Sequence, residues 1–428
     1  MERDVHTTIE SMAFKGYGVA RVNGKVVFVP YALKGEEARV EIVDEKKDYC
    51  FGRLNQIISP SPSRVTPPCP YFGHCGGCQW QHIDHATQVG FKKEILEETI
   101  KRLGRLHTIP PITLIPSPYA YGYRVRVQLK GQQGSIGYYQ ERSHRIIPID
   151  HCRIAHPLIN QIIPWLHDSL PFFSHMEEIE INVSPEEGRG ILILHPFPSP
   201  PRMERGITDF LQNHPLLKGI AVARKGKPSL FGQPDLDVTV SFQRNGQTEN
   251  VKLRTSPESF FQIHLEQNQR LIQTVIELGA VKQGEKVLDL YAGIGNFTLP
   301  LASYTQAVTG VEENRTAVKD ARNNALANGI EGCRFIHGKV EDVLKSAHMG
   351  KPDVILLDPP RTGCKSVIQQ IADLKSERIV YVSCEPTTFS RDLRLFSDRG
   401  YRLERLTLVD LFPQTYHMEV VGLLLSGC

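Results

Sequence analysis

Over the first sixty residues apolar and polar positions alternate with a period of two. The stretches Gly18-Val19-Ala20-Arg21-Val22, Lys25-Val26-Val27-Phe28-Val29-Pro30 and Ala38-Arg39-Val40-Glu41-Ile42 show it, with glycine and charged turns between them. That pattern predicts a small all-β barrel over residues 1–58. The period changes at Asp84–Gly104, where Phe91, Ile95, Leu96, Ile100 and Leu103 recur at helical spacing and Gly104 is a plausible stop. Residues 110–254 read as strands broken by prolines. After Arg254 helices and strands alternate: a helix through Leu265, Leu271, Ile272, Val275 and Leu278, then apolar strands at Val287, Val308, Pro352–Arg361 ending in D-P-P-R, Arg378–Pro386 with a cysteine at its end, and Val420–Leu425. Alternation of that kind predicts a mostly parallel, doubly wound α/β sheet. The chain divides accordingly into residues 1–58, 59–254 and 255–428.

The stretch Val287–Pro300, VLDLYAGIGNFTLP, is a buried strand, a glycine turn and a helix start. Gly293 and Gly295 allow a ligand to approach the backbone, and the following helix end offers unpaired N–H groups. Strand Val308–Glu312 ends in an acid, which suits the two hydroxyls of a ribose. A nucleoside-containing cofactor fits this pattern. A dinucleotide fingerprint needs a third glycine, and Thr298 stands in its place. The leading Asp289 and the short G-I-G-N instead resemble the first motif of S-adenosylmethionine methyltransferases.

Composition narrows the setting. A chain of 428 residues can bury two or three cores. The formal net charge is only +3, so any basic surface must be local. No apolar run approaches a membrane span and the start MERD is not a signal peptide, so a cytoplasmic location is expected. Nine cysteines in such a chain are ligands, nucleophiles or core thiols rather than disulfides.

Three cysteines stand close together. After the stiff linker Ser59–Ser63 and Pro67-Pro68 comes Cys69-Pro70-Tyr71-Phe72-Gly73-His74-Cys75-Gly76-Gly77-Cys78, a tight loop able to aim three sulfurs inward. Zinc and iron–sulfur are both compatible with it; His74, His82 and His85 are available for zinc, and Cys152 is a candidate fourth ligand. Basic groups interleaved with tyrosines lie further on. Tyr121–Lys130 is an alternating strand with Arg124, Arg126, Gln128 and Lys130 on one face, followed by Tyr138-Tyr139 and Arg142-Ser143-His144-Arg145. These suit an RNA surface. On the barrel, Lys15, Tyr17, Arg21, Lys34 and Arg39 could supply phosphate and stacking contacts.

Gly293, Glu312, Asp358 of D-P-P-R and Cys384 each follow a predicted parallel strand. Ligands bind beyond the carboxyl ends of such strands, so four separate stretches point to one crevice. The chemistry available there is specific. Carbon 5 of uracil is a poor nucleophile, but a thiolate adding to carbon 6 makes it a good one. After methyl transfer the carbon 5 proton must be removed before the cysteine can leave, which requires a base. Glu419 and His417, in DLFPQTYHME, are candidates.

At this point the chain resembles the RNA uracil-5 methyltransferases, specifically the TRAM-bearing, iron–sulfur branch that modifies 23S ribosomal RNA. The carriers are KGYGVARVNGKVVFVPYALKGEEARVEI, C-x5-C-x2-C plus Cys152, IGYYQERSHRIIPIDHC, SPESFFQIH, VLDLYAGIGNFTLPLA, LLDPPRTG, YVSCEP and DLFPQTYHMEVV, spread over nearly the whole chain. The resemblance implies a Rossmann-like methyltransferase domain with an OB-like TRAM barrel and a central β-rich RNA-binding region. It implies that Gln262, Tyr291, Gly293, Glu312 and Asp358 bind S-adenosylmethionine, that Cys384 is the nucleophile and that Glu419 is the base. It also implies a [4Fe-4S] cluster on Cys69, Cys75, Cys78 and Cys152, where spacing alone left zinc open. No membrane contact and no obligate protein partner are expected.

Three positions depart from the family pattern. His264 and Glu385 each stand where asparagine is expected, and D-P-P-R replaces D-P-A-R. None removes a group the mechanism requires. Two other readings compete: the same chemistry on a transfer RNA uridine, and a non-catalytic RNA-binding assembly factor. The presence of Cys384 and Glu419 together argues against the second.

Overall fold

The computed structural model describes residues 4–132, 134–173, 175–198, 204–224, 226–346 and 349–427. Its first sheet has six strands, in the spatial order Asp4–Thr8, Glu37–Glu45, Tyr49–Ser59, Lys25–Val29, Tyr17–Val22, Ser11–Ala13. One face of each strand fills the interior, where Val5, Ile9, Ala20, Val27, Val29, Ala38 and Val40 pack together. The proline-rich segment after it is fastened down rather than standing free. Arg64 clamps the fully buried Glu36 through Nε and Nη2 at 2.5 and 2.8 Å and also donates to the Tyr31 carbonyl at 2.7 Å.

The predicted helix over Asp84–Gly104 is a helix His85–Thr99 ending in one wide π turn, Ile100–Gly104. Asp84 caps it by accepting from the Thr87 N–H at 3.0 Å. Its buried face carries Phe91, Ile95, Leu96 and Ile100. Each contributes roughly 1.5–3 kcal/mol by leaving water. A side chain at Gly104 would come within 3.1 Å of the Ser390 carbonyl, so the end packs closely on the helix Pro386–Ser397.

The central sheet has seven strands, in the order Ile146–Pro148, Ser135–Tyr139, Arg126–Gln132, Met176–Ser184, Arg189–Pro196, Leu217–Val222, Ser229–Gly232. Here the predicted basic face looks different. Strand Met176–Ser184 pairs antiparallel with Arg126–Gln132, placing Glu178 opposite Lys130 and Glu180 opposite Gln128. Arg126 and Gln128 both bond to Glu180, at 2.8 and 3.0 Å, and Lys130 pairs with Glu178. The positive charge is therefore largely neutralised by carboxylates from a strand fifty residues downstream. A separate hairpin, Leu236–Arg244 with Gln247–Thr255, lies on the helix Arg315–Ala327. Asn324 and Asn328 hydrogen-bond to the Arg254 and Lys252 main chain.

The third sheet has eight strands, in the order Cys333–His337, Val308–Glu312, Val287–Leu290, Val354–Leu357, Arg378–Ser383, Glu419–Ser426, Tyr401–Val409, Ile112–Ile115. The first five are mutually parallel, and Glu419–Ser426 runs antiparallel to both its neighbours. Alternate residues serve opposite faces. Val287, Val354, Val380 and Val421 join a core shared with the central sheet and the hairpin. Leu288, Ile355, Tyr381 and Val420 join a second core with the helix His85–Thr99, Trp80, and Met12 and Leu33 of the barrel. The edge strand Ile112–Ile115 comes from a stretch read only as β-rich. Among the described residues no helix is long and apolar enough to cross a membrane.

Candidate active site

Chain reversal builds the reactive pair. Ser383 at the end of its strand pairs with Val420, in antiparallel register. The next residue on each strand, Cys384 and Glu419, therefore meet at the edge where the parallel strands end. Burial pushes the Cys384 thiol up to about 12, with the carboxylates of Glu419 and Asp358 adding to the effect and the Arg361 guanidinium opposing it. Glu419 is only 3% exposed. Burial holds its carboxyl well above the ordinary range, Asp358 adds to this and Arg361 again opposes it. Arg361, quoted in the sequence only as part of D-P-P-R, is thus an electrostatic neighbour of both reacting groups.

One helix fixes the loop that carries Arg361. The helix Pro386–Ser397 starts directly after Cys384, and Glu385 caps it, its carboxylate accepting from the Thr387 N–H at 3.4 Å and hydroxyl at 2.6 Å. From that helix Thr388 donates to the Arg361 carbonyl at 3.0 Å and Arg391 to the Thr362 carbonyl at 2.9 Å. Buried Asp392 accepts from the Cys364 N–H and the Tyr381 hydroxyl, both at 2.8 Å.

The predicted cofactor residues gather along the same edge. Tyr291 and Gly293 follow the strand Val287–Leu290, and Asp358 follows Val354–Leu357. The gap between these two neighbouring strands is the point at which strand order reverses. Tyr291, Gly293 and Gly295 all take positive φ, +72°, +54° and +94°. A tyrosine in that region marks strain held by the surrounding structure. Glu312 accepts from the Gly293 N–H at 3.0 Å and the Asn314 N–H at 2.7 Å, which fixes its carboxylate beside the glycine turn. Asp289 is fully buried; its Oδ2 accepts from Thr298 at 2.5 Å while Oδ1 has no partner. Burial raises Asp289 and Asp358 to about 7, and Asp289 adds to the shift at Asp358. Two raised carboxyls, one with an unmatched oxygen, suit a cationic ligand group.

Gln262 is placed less directly, half-buried before the helix Leu265–Gly279. That helix is tied to the glycine turn by a reciprocal amide pair, Asn268 to Asn296 at 2.8 and 3.0 Å. His264 caps it, accepting from the Gln267 N–H at 3.4 Å, while its Nε2 meets the Ser117 hydroxyl at 2.9 Å and its ring stacks on Tyr123 at 4.7 Å. Both departures from asparagine are therefore helix caps, a task histidine and glutamate perform here through a side-chain acceptor. Phe260, next to this turn, leaves 59% of its surface exposed, with the Arg126 guanidinium 5.5 Å from its ring.

His417, the second candidate base, is half-buried against the rings of Tyr416 and Phe412, at 4.2 and 5.9 Å. Burial lowers it to about 3, so it stays neutral and is a poor proton acceptor.

Cys69, Cys75, Cys78 and Cys152 line one pocket, with Tyr138 and Arg124 in its wall. The two chain segments are joined there: the Gly76 N–H donates to the Tyr139 carbonyl at 2.9 Å, and Asn160 holds the Cys152 main chain at 2.7 and 3.0 Å. None of the three histidines considered for zinc lines this pocket. His85 pairs with Asp410 at 2.7 Å, and His82 is buried between Tyr31 and Phe72. Among the described residues no group of three or more His, Cys, Asp or Glu side chains is arranged to hold a single metal ion. The four cysteines that line this pocket are soft sulfur donors, the kind that both zinc and iron–sulfur centres take.

Known proteins resemble this chain along most of its length. The tRNA (uracil-5-)-methyltransferase family model matches residues 223–427, and the TRAM domain model matches residues 4–54. An uncharacterized RNA methyltransferase of Aquifex aeolicus is 34% identical, covering 99% of each chain. The 23S rRNA (uracil(1939)-C(5))-methyltransferase RlmD of Pectobacterium atrosepticum is also 34% identical, over 99% of this chain and 94% of that one. The fold is shared with the crystal structure of the Pyrococcus abyssi tRNA (uracil-54, C5)-methyltransferase in complex with S-adenosyl-L-homocysteine. The TM-score is 0.77 at 24% identity, over 98% of this chain and 99% of that one.

Proposed function

The chain belongs to the RNA uracil-5 methyltransferase family, and from that premise we propose that it methylates carbon 5 of a uridine in 23S ribosomal RNA, in the cytoplasm. The ribosomal substrate is favoured by the match to RlmD along almost the whole chain, barrel and cysteine loop included. The observation that carries the chemistry is the register that sets Cys384 beside Glu419 at the carboxyl edge of the sheet.

S-adenosylmethionine supplies the electrophilic methyl group. The residues of the chain do the rest. Cys384, as thiolate, adds to carbon 6 of the uracil, and Arg361 favours that ionised form. The electron pair displaced to carbon 5 takes up the methyl group. Glu419 then accepts the carbon 5 proton, the double bond re-forms, and the Cys384 thiolate is expelled. A carboxylate whose proton affinity is raised by burial is a stronger base than one in water. Tyr291, Gly293, Glu312, Asp358 and Gln262 are assigned to cofactor binding, with Glu312 meeting the ribose hydroxyls. The target base must be unpaired and turned out of its stack, since a paired base hides carbon 6.

The decisive experiment uses Glu419→Gln. With labelled S-adenosylmethionine and 23S RNA lacking the modification, this variant should accumulate a methylated, covalent protein–RNA adduct on a denaturing gel. Cys384→Ala should give none. Normal turnover by Glu419→Gln would remove it as the base. Labelling of transfer RNA and not of 23S RNA by the unaltered protein would reassign the substrate.

The four-cysteine pocket is assigned to a [4Fe-4S] cluster. When bound, such a cluster would cross-link the loop Cys69–Cys78 to Cys152. Anaerobically purified protein should contain iron and sulfide in similar amounts. Stoichiometric zinc without iron would overturn this assignment.

A further inference from the structure

Glu419 is delivered by the turn Asp410–Met418, and one residue of that turn is held in an unusual way. Gln414 takes a left-handed conformation, φ +68°, and is 2% exposed. A non-glycine residue in that conformation persists only where its surroundings impose it. The restraints here are identifiable. The Gln414 N–H donates to the Gln88 side-chain carbonyl at 2.9 Å, and the Gln88 amide donates back to the Gln414 side-chain carbonyl at 3.0 Å. The same amide donates to the Trp80 and Ile83 carbonyls at 3.1 and 2.8 Å. The Gln414 main-chain carbonyl accepts from the Gln79 and Trp80 N–H groups at 3.1 and 3.0 Å. Gln79 is the residue directly after Cys78. The Tyr123 hydroxyl adds a bond to the Pro413 carbonyl at 3.0 Å.

We propose that Gln88 and Gln414 are positioning residues for the base, and that through Gln79 and Trp80 they make the placement of Glu419 depend on the cysteine loop. The inference rests on the reading of Glu419 as the base. Proton removal from carbon 5 needs the carboxylate at hydrogen-bonding distance along one direction, and a shift of about 1 Å in a group remote from the chemistry can cost about a hundredfold. The addition of Cys384 depends on this turn less directly, since Cys384 is carried by another strand and the helix Pro386–Ser397.

The test is Gln88→Met, which keeps the shape and removes every bond of the amide. Gln414→Gly is measured beside it, because glycine accepts the positive φ without strain and loses only the side-chain link. Both should bind S-adenosylmethionine within about twofold of the unaltered protein and keep KM for RNA within about threefold, while kcat falls tenfold or more. The methylated covalent adduct should rise as a share of bound RNA. With deuterium at carbon 5 of the uridines, the isotope effect on kcat should increase, because proton removal from carbon 5 becomes limiting. Hydrogen exchange gives a readout independent of activity: in Cys78→Ala the segment 410–418 should exchange faster than in the unaltered protein. Unchanged adduct share and isotope effect in both variants, or unchanged exchange in Cys78→Ala, would overturn the proposal. Glu419→Gln serves as the control: failure to accumulate adduct there would instead sink the assignment of the base.

Discussion

At the scale of single residues, the reactive thiol is unfavourably placed for ionisation until other charges reach it. Cys384 is held at about 12 by burial and by the carboxylates of Glu419, Asp358 and Glu385, with Arg361 the opposing cation. Only the thiolate reacts with an alkylating agent. Labelling of Cys384 by iodoacetamide in the free protein should therefore climb about tenfold per pH unit from pH 7 to 10. Arg361→Ala should slow labelling throughout that range, because it removes the group that lowers the thiol. Peptide mapping by mass spectrometry reads both; a plateau below pH 9 would show that the thiol is not raised. The caps belong to this scale too. His264 and Glu385 stood out in the sequence as departures; the helix through Leu265 was readable, but the capping role of the two side chains was not. Only the acceptor geometry shows it.

At the scale of elements, the helix His85–Thr99 is joined to the turn before Glu419 by a buried ion pair. Lys92, fully buried, lies 2.7 Å from Asp410 Oδ1 and also donates to the Phe412 carbonyl at 3.0 Å; His85 meets Asp410 Oδ2 at 2.7 Å. Burial opposes ionisation of Asp410, but Lys92 and His85 overcome it and hold the carboxyl at about 2. Its folded value lies below its unfolded one. Ionisation of Asp410 therefore contributes stability above pH 4 that is lost as the pH falls toward 2, while burial lowers Lys92 and offsets part of it. Lys92→Met leaves the Asp410 charge with only His85 and should destabilise the protein by about 3–5 kcal/mol. Urea unfolding followed at the two tryptophans checks this; a loss under 1 kcal/mol would mean that water or His85 replaces the lysine. The helix itself was readable from its apolar spacing. Its buried lysine was not, because nothing in a sequence distinguishes a solvated charge from one whose partner lies three hundred residues away.

At the scale of the whole molecule, the barrel is not a detachable grip. The alternating pattern of residues 1–58 and the stiff linker after it predict a separate barrel. Met12 and Leu33, however, lie in the core that also contains Leu288 and Tyr381 of the catalytic sheet, and Phe14 packs edge-on against Tyr416 at 5.2 Å. The Trp80 ring N–H donates to the Gly16 carbonyl at 3.2 Å, and Tyr31 bonds to Glu141 of the central region at 3.0 Å. Deleting residues 1–58 should consequently lower the unfolding temperature of the catalytic domain as well as RNA affinity. A cleaner probe of the grip is Arg39→Ala, because Arg39 is exposed on a barrel strand. If Arg39 meets a phosphate, the slope of log affinity against log salt should fall by about 0.7–0.9 while thermal stability stays unchanged. Tyr17 and Lys34 are worse choices, since Tyr17 is buried and bonded to Arg142 and Lys34 pairs with Glu94.

The sequence by itself determined what depends on neighbours along the chain. The strand–glycine–helix unit at Val287–Pro300, the acid closing Val308–Glu312, the triple-cysteine loop and the period-two barrel are local patterns, and local patterns fix local structure. Motif chemistry then pointed to Cys384 as a nucleophile and to Glu419 or His417 as the base, and the family resemblance chose Glu419. Tertiary structure alone decided how such pieces face one another. The antiparallel insertion of Glu419–Ser426 between Arg378–Ser383 and Tyr401–Val409 sets the acid beside the thiol, though thirty-five residues separate them. Pairing of Met176–Ser184 with Arg126–Gln132 turned an apparently basic face into a largely neutral one. The reciprocal amides of Gln88 and Gln414 lie 326 residues apart. Each is a contact between distant segments, created when the cores close, and periodicity along the chain carries no record of it.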